Sequence, residues 1–108
     1  MFKKLTHECH DGVLEGCRVG PQRDVILDIR LDPVWNRGGP ATVRVRFGAI
    51  SNFDEVRRFF ERVQASAEHD SLDRVLGIDC LEKGKWIVEL DHSGAVTIST
   101  PKMPQEQS

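Results

Sequence analysis

The sequence predicts an α+β fold, an antiparallel sheet whose strands run β-β-β-α-β-β-β along the chain, with one amphipathic helix packed on it. Three observations carry this. Val25, Leu27, Ile29 and Leu31 share one face of a run whose other face holds Asp28 and Arg30, and Val43, Val45 and Phe47 alternate with Thr42, Arg44 and Arg46. A period of two is that of a strand wet on one side. From Phe53 the period lengthens, so that Phe53, Val56, Phe60, Val63 and Ala67 fall on one helical stripe. After Asp73 the shorter period returns, interrupted by turns too brief to join anything but antiparallel neighbours.

Taken in order, Gly12 to Val19 is the first strand, and Gly20-Pro21-Gln22-Arg23 has the turn chemistry to join it to Val25–Leu31. Pro33-Val34-Trp35-Asn36-Arg37-Gly38-Gly39-Pro40 is a loop, because two prolines and a Gly-Gly break any ladder. Thr42 to Phe47 follows as the third strand, with Arg44 and Arg46 placed to pair across the sheet with Asp28. Ser51 or Asn52 caps a helix over Phe53 to Ala67, and Asp54 and Glu55 complement its positive end. Its stripe is expected to meet Val25, Leu27, Ile29 and Leu31. Ala67 to Asp73 is a polar connection containing His69-Asp70-Ser71. Arg74 to Leu81 and Lys85 to Asp91 flank the turn Glu82-Lys83-Gly84, and His92-Ser93-Gly94 leads into Ala95 to Thr100. Residues 1–100 thus make a single domain and 101–108 a flexible polar tail. Periodicity leaves open whether the two β halves make one sheet or two.

A chain of 108 residues can bury roughly two-thirds of its unfolded surface. With 39% apolar and 30% charged residues it reads as an ordinary globular protein. A net charge of -2 lacks the positive field that supplies most non-specific nucleic-acid affinity, so no nucleic-acid partner is expected. Cys9, Cys17 and Cys80 cannot all pair within one chain, which favours reduced thiols and a cytoplasmic location. His7, Glu8 and His10 interrupt the place where a secretory signal needs apolar residues, and no apolar stretch approaches the roughly 20 residues of a membrane helix. No membrane partner is expected, and the oligomeric state stays open.

The densest set of metal-ligand types is His7, Cys9, His10 and Asp11. Imidazole with thiolate suits zinc, but a tetrahedral site needs a second ligand couple, and Cys80 and His92 stand alone. The competing reading makes His10-Asp11 a turn and Cys9 and Cys17 small buried hydrophobes. Neither His10-Asp11 nor His69-Asp70 sits among the helices that paired His-Asp phosphohydrolases require. Ser66, Ser71 and Ser93 lack a nucleophile-elbow context, and Gly38, Gly39 and Gly48 are too sparse for a phosphate loop, so no catalytic residue and no cofactor is expected. Binding candidates remain. Trp35 with Arg37 is the best single patch, since tryptophan and arginine anchor interfaces; the opposing reading folds Trp35 over one end of the sheet with its indole N–H on a carbonyl. Arg44 and Arg46 offer a charged sheet face.

The succession His10-Asp11-Gly12-Val13-Leu14, Val25-Ile26-Leu27-Asp28-Ile29 and Val43 to Phe53, with the late hairpin Trp86 to Ile98, resembles small bacterial domains of unknown function, some classed as immunity proteins of polymorphic toxin systems. The resemblance spans most of residues 9–100 through mainly structural motifs. It implies a non-enzymatic cytosolic domain that binds and neutralises a cognate toxin. The expected function is therefore protein binding, with a metal- or small-ligand-binding protein using His7–Asp11 as the alternative.

Overall fold

The computed structural model describes residues 4–66 and 72–108, so the His69-Asp70-Ser71 stretch lies outside the described residues. Its elements are β1 (Val13–Gly20), β2 (Asp24–Arg30), β3 (Thr42–Phe47), α1 (Phe53–Ala65), β4 (Asp73–Glu82), β5 (Lys85–Leu90), β6 (Gly94–Ser99) and β7 (Gln105–Gln107). All strand pairs are antiparallel, in the order β6-β5-β4-β1-β2-β3-β7. The two β halves therefore make one sheet.

They meet at a short seam. Val13 and Leu14 of β1 face Arg74 and Asp73 of β4, and the Val75 N–H donates to the Gly12 carbonyl at 2.7 Å. Three strands separate β3 from β5, yet the rings of Phe47 and Trp86 lie 6.1 Å apart, edge to face. A flat sheet would hold them about 19 Å apart at ~4.8 Å per strand. The sheet is folded across the seam, with its inner faces against each other. Alternation explains what fills the fold: Leu14, Leu27, Val45 and Phe47 from one half, and Val75, Trp86, Val88 and Ile98 from the other, are all buried.

The helix docks differently from expectation. Val56, Phe59, Phe60 and Val63 are buried as the stripe requires, but α1 packs chiefly on β1 and β6. Past the seam β1 leaves β4 and loses its ladder partner on that side. α1 fills the gap, with Gln64 Nε2 donating to the Cys17 carbonyl and the Cys17 thiol 3.8 Å from the Phe60 carbonyl. Val25, Leu27, Ile29 and Leu31 are buried in the same core without being the helix's principal floor.

Asn52 occupies the N-cap position of α1 but makes no side-chain cap. Its carboxamide lies along the edge of β6, donating to the Thr97 carbonyl at 2.7 Å and accepting from the Ser99 N–H at 2.9 Å, while the Ser51 N–H donates to the Ser99 carbonyl at 2.7 Å. An edge strand's unpaired backbone outcompetes the helix for this amide. At the opposite edge, residues expected to form a flexible polar tail instead build β7, with Gln105, Glu106 and Gln107 opposite Arg46, Val45 and Arg44 of β3. The strand exists because β3 has an open row of N–H and C=O groups there, which any backbone can pair whatever its side chains. Among the described residues, no helix is long and apolar enough to cross a membrane.

Candidate functional site

The loop from β2 to β3 presents Val34, 67% exposed, and Trp35, 51% exposed. It is held in place rather than loose. Asp32 begins it with an Asx turn, its Oδ1 accepting from the Val34 N–H at 2.9 Å, and its carbonyl accepts from the Trp35 N–H at 3.2 Å. Gly38, at φ +73°, supplies a left-handed turn that side chains rarely adopt. Asn36 clasps the N-terminal segment from both sides, Nδ2 donating to the Glu8 carbonyl at 2.8 Å and Oδ1 accepting from the Glu8 N–H at 3.1 Å.

Trp35 itself does not fold away. Its indole N–H donates to Asp11 Oδ2 at 3.2 Å, and its ring meets that of His10 edge-on at 5.3 Å. Asp11 has φ 63°, a left-handed conformation that Asp tolerates better than most residues. Arg37 is exposed and forms no ion pair among the described residues.

Arg44 and Arg46 are committed elsewhere. Arg44 Nε reaches Asp28 Oδ1 at 2.8 Å, directly across the register, as expected. Arg46 pairs instead with Asp24, Nε to Oδ2 at 3.0 Å, because it stands opposite Ile26 and reaches along the diagonal. Asp24 is buried against Gly20, where any Cβ would collide with its carboxyl group, so glycine is required to admit it. With Arg30 and Glu15 at 3.6 Å, these pairs make the outer face a self-neutralised ladder.

The His7–Asp11 set does not converge. Burial, then the charges of Glu106, Glu8 and Asp79, push the Cys9 thiol up to about 12, which keeps it in the thiol form near neutrality. Burial likewise pushes Cys17 to about 11. His10 Nδ1 donates to the Leu76 carbonyl at 2.7 Å, whereas His7 Nδ1 lies 3.1 Å from Glu106 Oε1. Among the described residues, no three His, Cys, Asp or Glu side chains stand together as a metal site. Glu106 is a clasp that sequence reasoning missed. It takes the N–H groups of Thr6 and His7 at 2.7 and 3.0 Å, and although burial works to raise its pKa, those bonds outweigh burial and hold it below the usual range.

A cleft of about 860 Å³ lies between the end of α1 and the β5–β6 turn, and its lining includes Asp73, His92 and Ser93. These are the residue types of a hydrolytic triad in another arrangement. Asp73 accepts from the N–H groups of Arg74, His92 and Ser93 at 2.8, 3.1 and 2.9 Å, while His92 turns outward toward Asp91. Among the described residues no imidazole bonds Ser93, and Asp73 acts as a turn clamp. Burial raises its pKa, but the bonds from Ser93, His92 and Arg74 prevail and lower it. A depressed carboxylate stabilises the fold above its unfolded pKa of about 4 and loses that contribution as pH falls through the folded value. Asp73→Ala is expected to cost about 1–3 kcal/mol at pH 7 by orphaning these donors, and to flatten the fall in melting temperature below about pH 4. Thermal melts across pH 2–7 check both; an unchanged acid limb in the variant would show that Asp73 is not its source.

No family model matches the chain, and no curated protein or solved structure matches it.

Proposed function

We propose that this chain is a non-enzymatic protein-binding domain that engages its partner through the Trp35 loop. The observation that carries the reading is an exposed Val34-Trp35 pair on a loop already fixed by hydrogen bonds at Asp32, Asn36 and Asp11. Anchors that need no ordering on association retain more of their contact energy, and tryptophan with a neighbouring exposed arginine, here Arg37, is the composition of interface hot spots. The metal-ligand alternative draws no support from side chains as dispersed as His7, Cys9 and His10. The finer reading, neutralisation of a toxin in the cytoplasm, follows the resemblance to immunity domains and accords with three unpaired cysteines.

Trp35→Ala should weaken a stoichiometric partner, isolated from the native cell at near-physiological salt, by roughly 30-fold or more, the ~2 kcal/mol of a hot spot. Its melting temperature should stay within a few degrees of the parent. Undiminished capture by the variant would remove the loop from the interface. For the toxin reading, co-expression with the product of an adjacent toxin-like gene should restore growth, and Trp35→Ala should forfeit the rescue.

A further inference from the structure

His10 and Trp35 meet at one carboxylate oxygen. Asp11 Oδ2 takes the Trp35 indole N–H at 3.2 Å and lies 3.5 Å from His10 Nε2. The other imidazole nitrogen is spoken for: Nδ1 sits 2.7 Å from the Leu76 carbonyl, which can only accept, so Nδ1 carries a proton in every state of the ring. The atom that gains or loses a proton is therefore Nε2, the one facing Asp11. When protonated it forms an ion pair with Oδ2. When neutral it turns a lone pair toward a carboxylate oxygen that has no proton to donate.

We propose that the His10–Asp11 pair is a pH-sensitive latch on the Trp35 loop, closed when Nε2 binds a proton from solvent and loosened when that proton leaves. Among the described residues the charged and titratable neighbours have defined places. Asp11 and Glu8 on the same segment favour the imidazolium, Arg74 on β4 opposes it, the Leu76 carbonyl of β4 receives Nδ1, and the loop from β2 to β3 contributes the neutral edge of Trp35. The balance, led by the Leu76 bond, raises the pKa of His10 from its usual value, which brings the transition toward neutrality. Linkage gives the sign: a raised histidine steadies the loop below its unfolded pKa and releases that contribution as pH rises through the folded one.

The latch belongs to the free protein and can be tested without any partner; if the Trp35 surface is the interface, it adds pH dependence to binding. Two indole N–H resonances are available, Trp35 and the buried Trp86, told apart by Trp35→Phe. In nitrogen–proton spectra of the full chain from pH 5 to 8.5, the Trp35 indole signal should shift along one titration curve. Its midpoint should match that of the His10 ring, while Trp86 stays still. His10→Gln should abolish the shift. Asp11→Asn, which keeps an acceptor for the indole and removes the charge, should lower the His10 midpoint. A Trp35 signal that does not move, or one that moves with a midpoint different from His10, overturns the latch, and both outcomes are read in the unmodified protein should a variant fail to fold.

Discussion

Leu27→Asp is expected to abolish cooperative unfolding. Leu27 is fully buried at the middle of β2, facing Cys17 of β1 and Val45 of β3 in register. The substitution forfeits about 2–3 kcal/mol of apolar burial. It also places a carboxyl group among apolar neighbours, a further penalty of several kcal/mol even if the group takes up a proton. The sum rivals the ~5–15 kcal/mol that holds a whole domain together. One position along, Asp28 faces outward to Arg44, and Asp28→Ala should cost no more than ~1 kcal/mol. Circular-dichroism melts of the two variants check the face assignment. A cooperative melt for Leu27→Asp near the parent temperature would mean the sheet is inside out.

Phe60→Ala should be the most damaging change in the helix. Phe60 is fully buried, packs edge-on to Phe59 at 5.1 Å, and lies on the stretch of α1 that closes the gap beside Cys17. Truncating a buried phenylalanine costs about 3–5 kcal/mol through lost burial and the cavity left behind. For a domain of this size that lowers the melting temperature on the order of 15–25 °C. The effect reaches beyond packing, because α1 substitutes for a strand along the free side of β1. Amide exchange should therefore quicken in β1 and β6 more than in β2 and β3. Uniform acceleration across the sheet would show that the helix is a lid over the whole face.

What could be read from the sequence follows the range of the interaction that decides each feature. Thr42 to Phe47 coincides with β3 because inside-outside alternation is a local property of six residues. The helix start at Phe53 was equally local, and its end at Ala65 falls two residues before the expected Ala67. Trp35 was legible as a candidate because a large aromatic in a proline- and glycine-rich loop is conspicuous, but its hydrogen bond to Asp11 was not. Asn52, Asp73 and Glu106 were missed in their actual roles, since each serves backbone groups far away in sequence. Asp73 reaches Ser93, and Asn52 reaches Thr97 and Ser99. β7 has no alternation at all; it is specified by the vacancy beside β3, which no window along Gln105-Glu106-Gln107 contains.

The Glu106 clasp has a consequence in time. Its partner Thr6 precedes it by 100 residues, and a ribosome adding 5–20 residues per second takes about 5–20 s to cover that distance. For that interval the Thr6 and His7 N–H groups have no Glu106 carboxylate to accept from them. The clasp on Thr6 and His7 is therefore set only after β1 to β6 have all been made.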